Sequence, residues 1–107
     1  MQAFDLKSQA TFNPEKMAKV DLVSSPHLIC GMNCFEPGQS QKVHAHSGAD
    51  KLYVVVEGQG QFIVGEETRD LRAGELLHVP EDVPHGVNNT SGDRLSVMIV
   101  ITPNFKH

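Results

Sequence analysis

The chain has 107 residues, with 39% hydrophobic and 21% charged residues and a formal net charge of −4. This length suits one domain with a modest core and excludes two, and the negative charge argues against nucleic acid as a partner. No apolar run approaches the ~20 residues of a membrane span, so no membrane partner is expected. Residues 1–7 lack the basic head and apolar stretch of a signal peptide, so a cytoplasmic location is expected.

The predicted elements are mostly short strands. Residues 13–18 predict one short helical turn near the N-terminus, because Asn13 can cap it and Pro14 fits the first helical position. Strands are predicted at 20–23, 27–35, 41–46, 51–57, 61–64, 68–71, 76–79, 85–89 and 94–102. Glycine-containing turns separate them, and residues 58–60 predict a hairpin turn. The pattern is typical of an all-β barrel or sandwich.

The two cysteines predict free thiols. Cys30 and Cys34 lie four residues apart on one face of a predicted strand, so their Cα atoms are about 13 Å apart. A disulfide needs less than about 7 Å. A reducing compartment is therefore expected.

A histidine pair is the first chemical signal in the chain. His44 and His46 are two residues apart, so on a strand their side chains point to the same face. Two imidazoles placed side by side can be bridged by a single cation. Lys51 follows shortly after, where an anionic third ligand would be more natural.

Two stretches together resemble the paired motifs of the cupin superfamily. Gly38, His44, His46 and Gly58 fall on the first motif, with Lys51 in the position of its glutamate. Gly74, Pro80, His85 and Asn89 fall on the second motif, with Asp82 in place of its inner glycine. The resemblance covers residues 35–102 and implies a jelly-roll β-barrel that is often dimeric. One small cupin domain is predicted over residues 1–107, with a core barrel at 27–102 and an N-terminal extension at 1–26.

The resemblance also implies a divalent metal in the barrel mouth, with His44, His46 and His85 as ligands. Three histidines suit Zn²⁺, Fe²⁺, Ni²⁺ or Cu²⁺, whereas Mg²⁺ and Ca²⁺ prefer oxygen ligands. Lys51 leaves three alternatives open. It can turn towards solvent or Asp50, it can lose its proton on burial, or it can replace the metal altogether.

Other side chains are candidates for the same site. Tyr53 shares strand parity with Lys51, so both are candidate catalytic groups inside the barrel. Asp50 and His78 are weaker alternatives for a further ligand. His27 and His107 carry no predicted role.

Three functions are compatible with these residues. The first is a metalloenzyme of the oxygenase, isomerase or decarboxylase type, acting on a small anionic molecule that satisfies both the metal and Lys51. The second is a non-catalytic module that binds or senses a small ligand. The third is an inert barrel that serves in assembly. A homodimer is expected from the resemblance and from the apolar outer face of Leu52, Val54 and Val56.

Overall fold

A computed structural model describes residues 1–105, so His107 lies outside the described residues. The elements in chain order are α1 (Leu6–Gln9), β1 (Ala18–Ser24), β2 (Ile29–Phe35), β3 (Ser40–His44), β4 (Asp50–Glu57), β5 (Gln59–Val64), β6 (Glu67–Arg72), β7 (Leu76–Val79), β8 (His85–Asn88) and β9 (Leu95–Thr102). The predicted all-β jelly roll with one short N-terminal helix is confirmed. No helix among residues 1–105 is long and apolar enough to cross a membrane.

The strands form two antiparallel sheets that face each other. The first sheet has the order β1-β2-β9-β4-β7, and the second has the order β3-β8-β5-β6. Alternate residues of each strand point between the sheets, where they form the core. On β4 and β9 the inward residues include Tyr53, Val55, Val97 and Ile99, all of them buried.

The helix is present, but the prediction of its position was wrong. Residues 14–16 form a bend, and the backbone N–H of Glu15 donates to Oδ1 of Asn13 at 2.9 Å. The Asn13 side chain thus caps a local turn that does not continue, and β1 begins at Ala18. A single first-turn signal is too short to nucleate a helix without packing.

The predicted hairpin at residues 58–60 is also wrong. β4 pairs with β7 and β9, whereas β5 pairs with β6 and β8. Gly58 therefore carries the chain from one sheet to the other. Its φ of +83° lies in the left-handed region, and a Cβ there would overlap the carbonyl oxygen of Arg94.

This crossing predicts that Gly58→Ala is strongly destabilising. The left-handed backbone alone costs about 1–2 kcal/mol for alanine, and the overlap with a backbone carbonyl adds to it, so we expect a loss of about 3 kcal/mol. Gly74 is the matched control, because its φ is +92° but its Cβ would meet nothing within 4 Å. Gly74→Ala should cost about 1 kcal/mol. Urea unfolding of both variants checks the difference, and equal losses would contradict the crowding argument.

Candidate metal and ligand site

Strand pairing brings the three predicted histidines together at one end of the barrel. His44 ends β3 and lies directly opposite His85, which begins β8. His46 follows in the β3–β4 loop, and the carbonyl of His46 accepts the N–H of Asp82 at 3.0 Å. The ring centroids lie 4.4 Å apart for His44 and His85, 4.8 Å for His44 and His46, and 5.2 Å for His46 and His85. Because the three rings converge, each offers a ligand nitrogen within 4.8 Å of the other two.

Backbone carbonyls orient two of these rings in the same way. Nδ1 of His44 lies 2.8 Å from the carbonyl of Lys42, and Nδ1 of His85 lies 3.0 Å from the carbonyl of Val83. A neutral imidazole that donates from Nδ1 carries its lone pair on Nε2. Both carbonyls therefore aim an Nε2 lone pair at the centre of the cluster, as in metal-binding histidines.

The nitrogen atoms of His44 and His46 have the separation that two ligands of one divalent transition metal require. Nε2 of His44 lies 3.2 Å from Nε2 of His46. Two ligands of one ion, each at about 2.1 Å, lie about 3.0–3.4 Å apart. Nε2 of His85 is buried and has no hydrogen-bond partner among the described residues. Such an atom normally has a partner, so a bound cation would satisfy it.

Burial keeps the third ring neutral. The His85 side chain is 1% exposed, and desolvation lowers the pKa of His85 to about 4. The charges of Lys51 and His44 lower it further, and the hydrogen bond to Val83 opposes them. A neutral imidazole is the form that binds metal.

Lys51 points into the barrel. It is 3% exposed, so the alternative in which it turns towards solvent is wrong. Its Nζ lies 4.6 Å from the centroid of the Tyr53 ring and makes no hydrogen bond or ion pair with a described residue. Desolvation, followed by the charge of Lys19, lowers the pKa of Lys51 to about 8. The Lys51 side chain is therefore enclosed, and no carboxylate among the described residues pairs with its ammonium.

Asp50 and His78 lie apart from the histidine cluster. Nε2 of His78 is 3.0 Å from Oδ2 of Asp50, and the N–H of Glu81 donates to Oδ1 of Asp50 at 3.1 Å. These contacts lower the pKa of Asp50, the hydrogen bond from His78 most of all. Both side chains are about half exposed. Asp50 thus pairs with His78, and not with Lys51.

Tyr53 is fully buried beneath the site. Its hydroxyl donates to Oε1 of Gln41 at 3.0 Å, and its ring packs edge-on against Phe62 at 5.2 Å. Desolvation raises the pKa of the Tyr53 phenol. The hydroxyl is thereby held protonated, and Gln41, its acceptor, lines the pocket.

A pocket of about 90 Å³ lies beside the histidines, between the two sheets. His44 lines it from the second sheet and His46 from the β3–β4 loop, while Lys51, Asn33 and Lys19 line it from the first sheet. Sequence reasoning missed Asn33 and Lys19. The available signal for Asn33 was that it is polar but lies on the same face of β2 as Ile29, Gly31 and Phe35.

The segment after β9 reaches the mouth of this pocket, although the sequence predicts only a tail there. The Phe105 ring lies 4.6 Å from the ring of His46 and lines the pocket. Asn104 holds the segment down, because its Nδ2 donates to the carbonyl of Ser25 at 2.9 Å and to Oγ of Ser24 at 3.3 Å. The aromatic ring therefore covers one side of the histidine cluster.

Two further motif positions have structural roles. Asp82 replaces the inner glycine of the second motif and keeps a φ of +63°, a conformation that Asp tolerates better than most residues. Asn89 donates from Nδ2 to the carbonyls of Phe35 and Asp93 and accepts from Ser91. Asn89 thereby fixes the loop that follows β8.

A jelly roll with three convergent histidines at its mouth defines the class of protein. The family model of the cupin domain matches residues 31–101. The chain belongs to the cupin family.

The comparison with solved structures gives the same fold. The crystal structure of TT1209 from Thermus thermophilus is 41% identical, with a TM-score of 0.93 over 96% of this chain and 98% of that chain.

Two curated relatives carry functional names. A Bradyrhizobium 5-nitrosalicylic acid 1,2-dioxygenase is 31% identical over 77 residues, which are 72% of this chain and 36% of the relative. An oxalate-binding protein of Thermotoga maritima is 28% identical over 65 residues, which are 61% of this chain and 54% of the relative. The chain thus spans between about a third and about half of the length of these relatives.

Proposed function

We propose that His44, His46 and His85 hold a divalent transition metal, and that the site binds a small anion in the barrel mouth. The observation that carries the proposal is the convergence of the three ligand nitrogens, with the buried Nε2 of His85 left unpartnered among the described residues. Zn²⁺, Fe²⁺, Ni²⁺ and Cu²⁺ all suit imidazole ligands. When bound, such an ion supplies Lewis acidity to an anionic ligand.

The residues around the cluster favour an anion. Neutral histidines add no negative charge, and Lys51 adds a buried positive charge beside them. The pocket is lined by two lysines, Lys19 and Lys51, against one carboxylate, Asp21. An incoming carboxylate or enolate would satisfy the Lys51 ammonium and the positive field of the site together.

The reaction we propose is of the oxygenase, isomerase or decarboxylase type. A relative named as a dioxygenase supports this class. In this chain Lys51 would stabilise developing negative charge or transfer a proton. Tyr53 would hold Gln41 in place through its hydroxyl.

A non-catalytic binding module is the second candidate. The observation in its favour is that the Tyr53 hydroxyl already donates to Gln41, which leaves few free acid or base groups at the pocket. Incubation of the Fe²⁺-loaded protein with small carboxylates separates the two candidates. Oxygen uptake or loss of the carboxylate supports the enzyme, whereas a thermal shift without turnover supports the binding module.

The proposal includes a cytoplasmic homodimer. The outer side chains of Leu52, Val54 and Val56 are only partly buried within the chain, and a second copy would cover them. Sedimentation of untagged protein tests this part separately from the chemistry.

Metal binding is tested by restoring the carboxylate of the family motif. We expect Lys51→Glu to raise the Zn²⁺ affinity of the protein at least tenfold, because a cation is replaced by an anion that can act as a ligand. Lys51→Met is the matched control, since it removes the positive charge without adding a ligand. Elemental analysis and Zn²⁺ titration of purified untagged protein measure the effect. The absence of bound metal in all three proteins would overturn the metal site.

A further inference from the structure

Asn33 is a buried polar side chain that the histidine cluster does not explain. It is 4% exposed, and its carboxamide makes no hydrogen bond with a described residue. It lines the pocket from β2, where it pairs with Lys19 of β1 and Val97 of β9. An amide that lines a pocket and has no partner among the described residues can bind a polar group of a ligand there.

Lys51 presents the same anomaly on the same sheet. Lys51 is 3% exposed, its ammonium likewise makes no hydrogen bond with a described residue, and it lines the same pocket from β4. Two donors that line one pocket without an acceptor among the described residues are available to a ligand. Their shared complement is an oxyanion, which accepts hydrogen bonds from both an ammonium and an amide.

The pocket is shared by these donors and the histidines. His44 lines it from the second sheet and His46 from the β3–β4 loop, whereas Asn33 and Lys51 line it from the first sheet. A ligand that meets only one wall leaves the groups of the other wall unsatisfied. About 90 Å³ is enough for roughly six to nine non-hydrogen atoms, since one water needs about 10–15 Å³.

We propose that Asn33 and Lys51 form a recognition wall for one carboxylate of a small dicarboxylate, whose other carboxylate faces the histidines. This inference rests on the proposed function, because it names the ligand class of that same site. Asn33 acts as a specificity residue: its amide donates to the distal carboxylate, while Lys51 supplies the charge. The ligand has two anionic ends separated by one or two carbon atoms.

The test uses malonate and succinate as probes, with acetate and malonamide as controls for one charged end and for no charge. Isothermal titration is done on the full chain, once after treatment with EDTA and once saturated with Zn²⁺. We expect malonate or succinate to bind the Zn²⁺-loaded protein at least tenfold more tightly than acetate, and malonamide not to bind. Equal affinities for acetate and the dicarboxylates would overturn the two-ended ligand.

The wall is tested by Asn33→Leu and Lys51→Met, with the exposed Lys16→Met as the matched control. We expect each wall variant to lose at least tenfold in dicarboxylate affinity, with and without Zn²⁺, and Lys16→Met to bind like wild type. Asn33→Leu should also raise Tm, because an unsatisfied amide is replaced by an apolar side chain of similar size. A purely structural Asn33 would instead lower Tm and leave binding unchanged, which would overturn the proposal. If Asn33→Leu does not fold, Asn33→Asp takes its place, since its carboxylate must repel the ligand.

The two proposals fail in different ways. If wild type binds no Zn²⁺, the metal site fails, while wall-dependent binding of malonate after EDTA treatment still tests the recognition wall. If Zn²⁺ binds and neither wall variant changes dicarboxylate affinity, the recognition wall fails and the metal site stands. Zn²⁺ titration of Asn33→Leu further distinguishes the recognition wall from the metal site, because this variant should lose dicarboxylate affinity but bind Zn²⁺ like wild type.

Discussion

Replacing His85 with glutamine should reduce Zn²⁺ affinity by more than 100-fold. Mutating a residue that only hydrogen-bonds to a metal ligand typically lowers metal affinity by roughly 10–100-fold. The loss of Zn²⁺ affinity should be larger here, because His85 would itself supply one of three ligand atoms. Its Nε2 is buried and unpartnered among the described residues, so no group of this part of the chain already satisfies it. Glutamine keeps a polar side chain of similar reach and limits the cavity. Titration with Zn²⁺, supported by Co²⁺ absorption spectra, measures the loss.

His78→Gln is the control for this variant. His78 lies on β7 with its side chain 52% exposed, and it contacts Asp50 away from the cluster. We expect its Zn²⁺ affinity to match wild type. Stoichiometric, tight Zn²⁺ binding by the His85 variant would show that the three histidines do not form the site.

The strands and turns could be predicted from the sequence because they depend on short-range spacing. Glycine turns and alternating strands predict an all-β barrel or sandwich, whereas the jelly roll and the grouping of His85 with His44 and His46 were implied by the resemblance to the cupin motifs. The structure adds the register that brings this about, with His44 opposite His85 across β3 and β8.

The parts that could not be predicted depend on contacts between distant segments. The helical turn was placed at Asn13, although the Asn13 side chain closes only a local bend. Asn33 was missed because both faces of β2 are partly apolar, so the alternation alone does not say which face meets a pocket, and the polar side chain of Asn33 was the one available signal. Phe105 reaches the site only because the segment after β9 folds back and Asn104 binds the loop after β1.

Lys51 shows that the type of a residue does not by itself predict the environment of its side chain. Its parity on β4 predicts an inward side chain, but the sequence left open whether a charged group would accept that environment. The structure encloses it beside Tyr53 without a counter-charge among the described residues. The desolvation of Lys51 is the kind of local cost that proteins retain at functional sites.

Replacing Lys51 with methionine should therefore stabilise the EDTA-treated protein at pH 7 by about 3–4 kcal/mol. Burial lowers the pKa of Lys51 from 10.5 to about 8, and each pKa unit corresponds to about 1.4 kcal/mol. Methionine has a similar length and no charge to desolvate. Lys16→Met, at an exposed position, should change the free energy of unfolding by less than about 0.5 kcal/mol.

The pH dependence of this gain gives the sharper test. Between the folded pKa of about 8 and the unfolded value of 10.5, the unfolded chain holds more protons on Lys51 than the folded protein does. The stability contributed by Lys51 therefore rises with pH across that window, and its full penalty applies below pH 8. The advantage of Lys51→Met should shrink steadily from pH 8 to pH 10. Cys30 and Cys34, whose thiol pKa values are raised by burial, are present in both proteins, so their effect cancels. Urea unfolding at pH 7, 8, 9 and 10 measures the difference, and a gain that does not vary with pH would mean that Lys51 is not desolvated in the folded barrel.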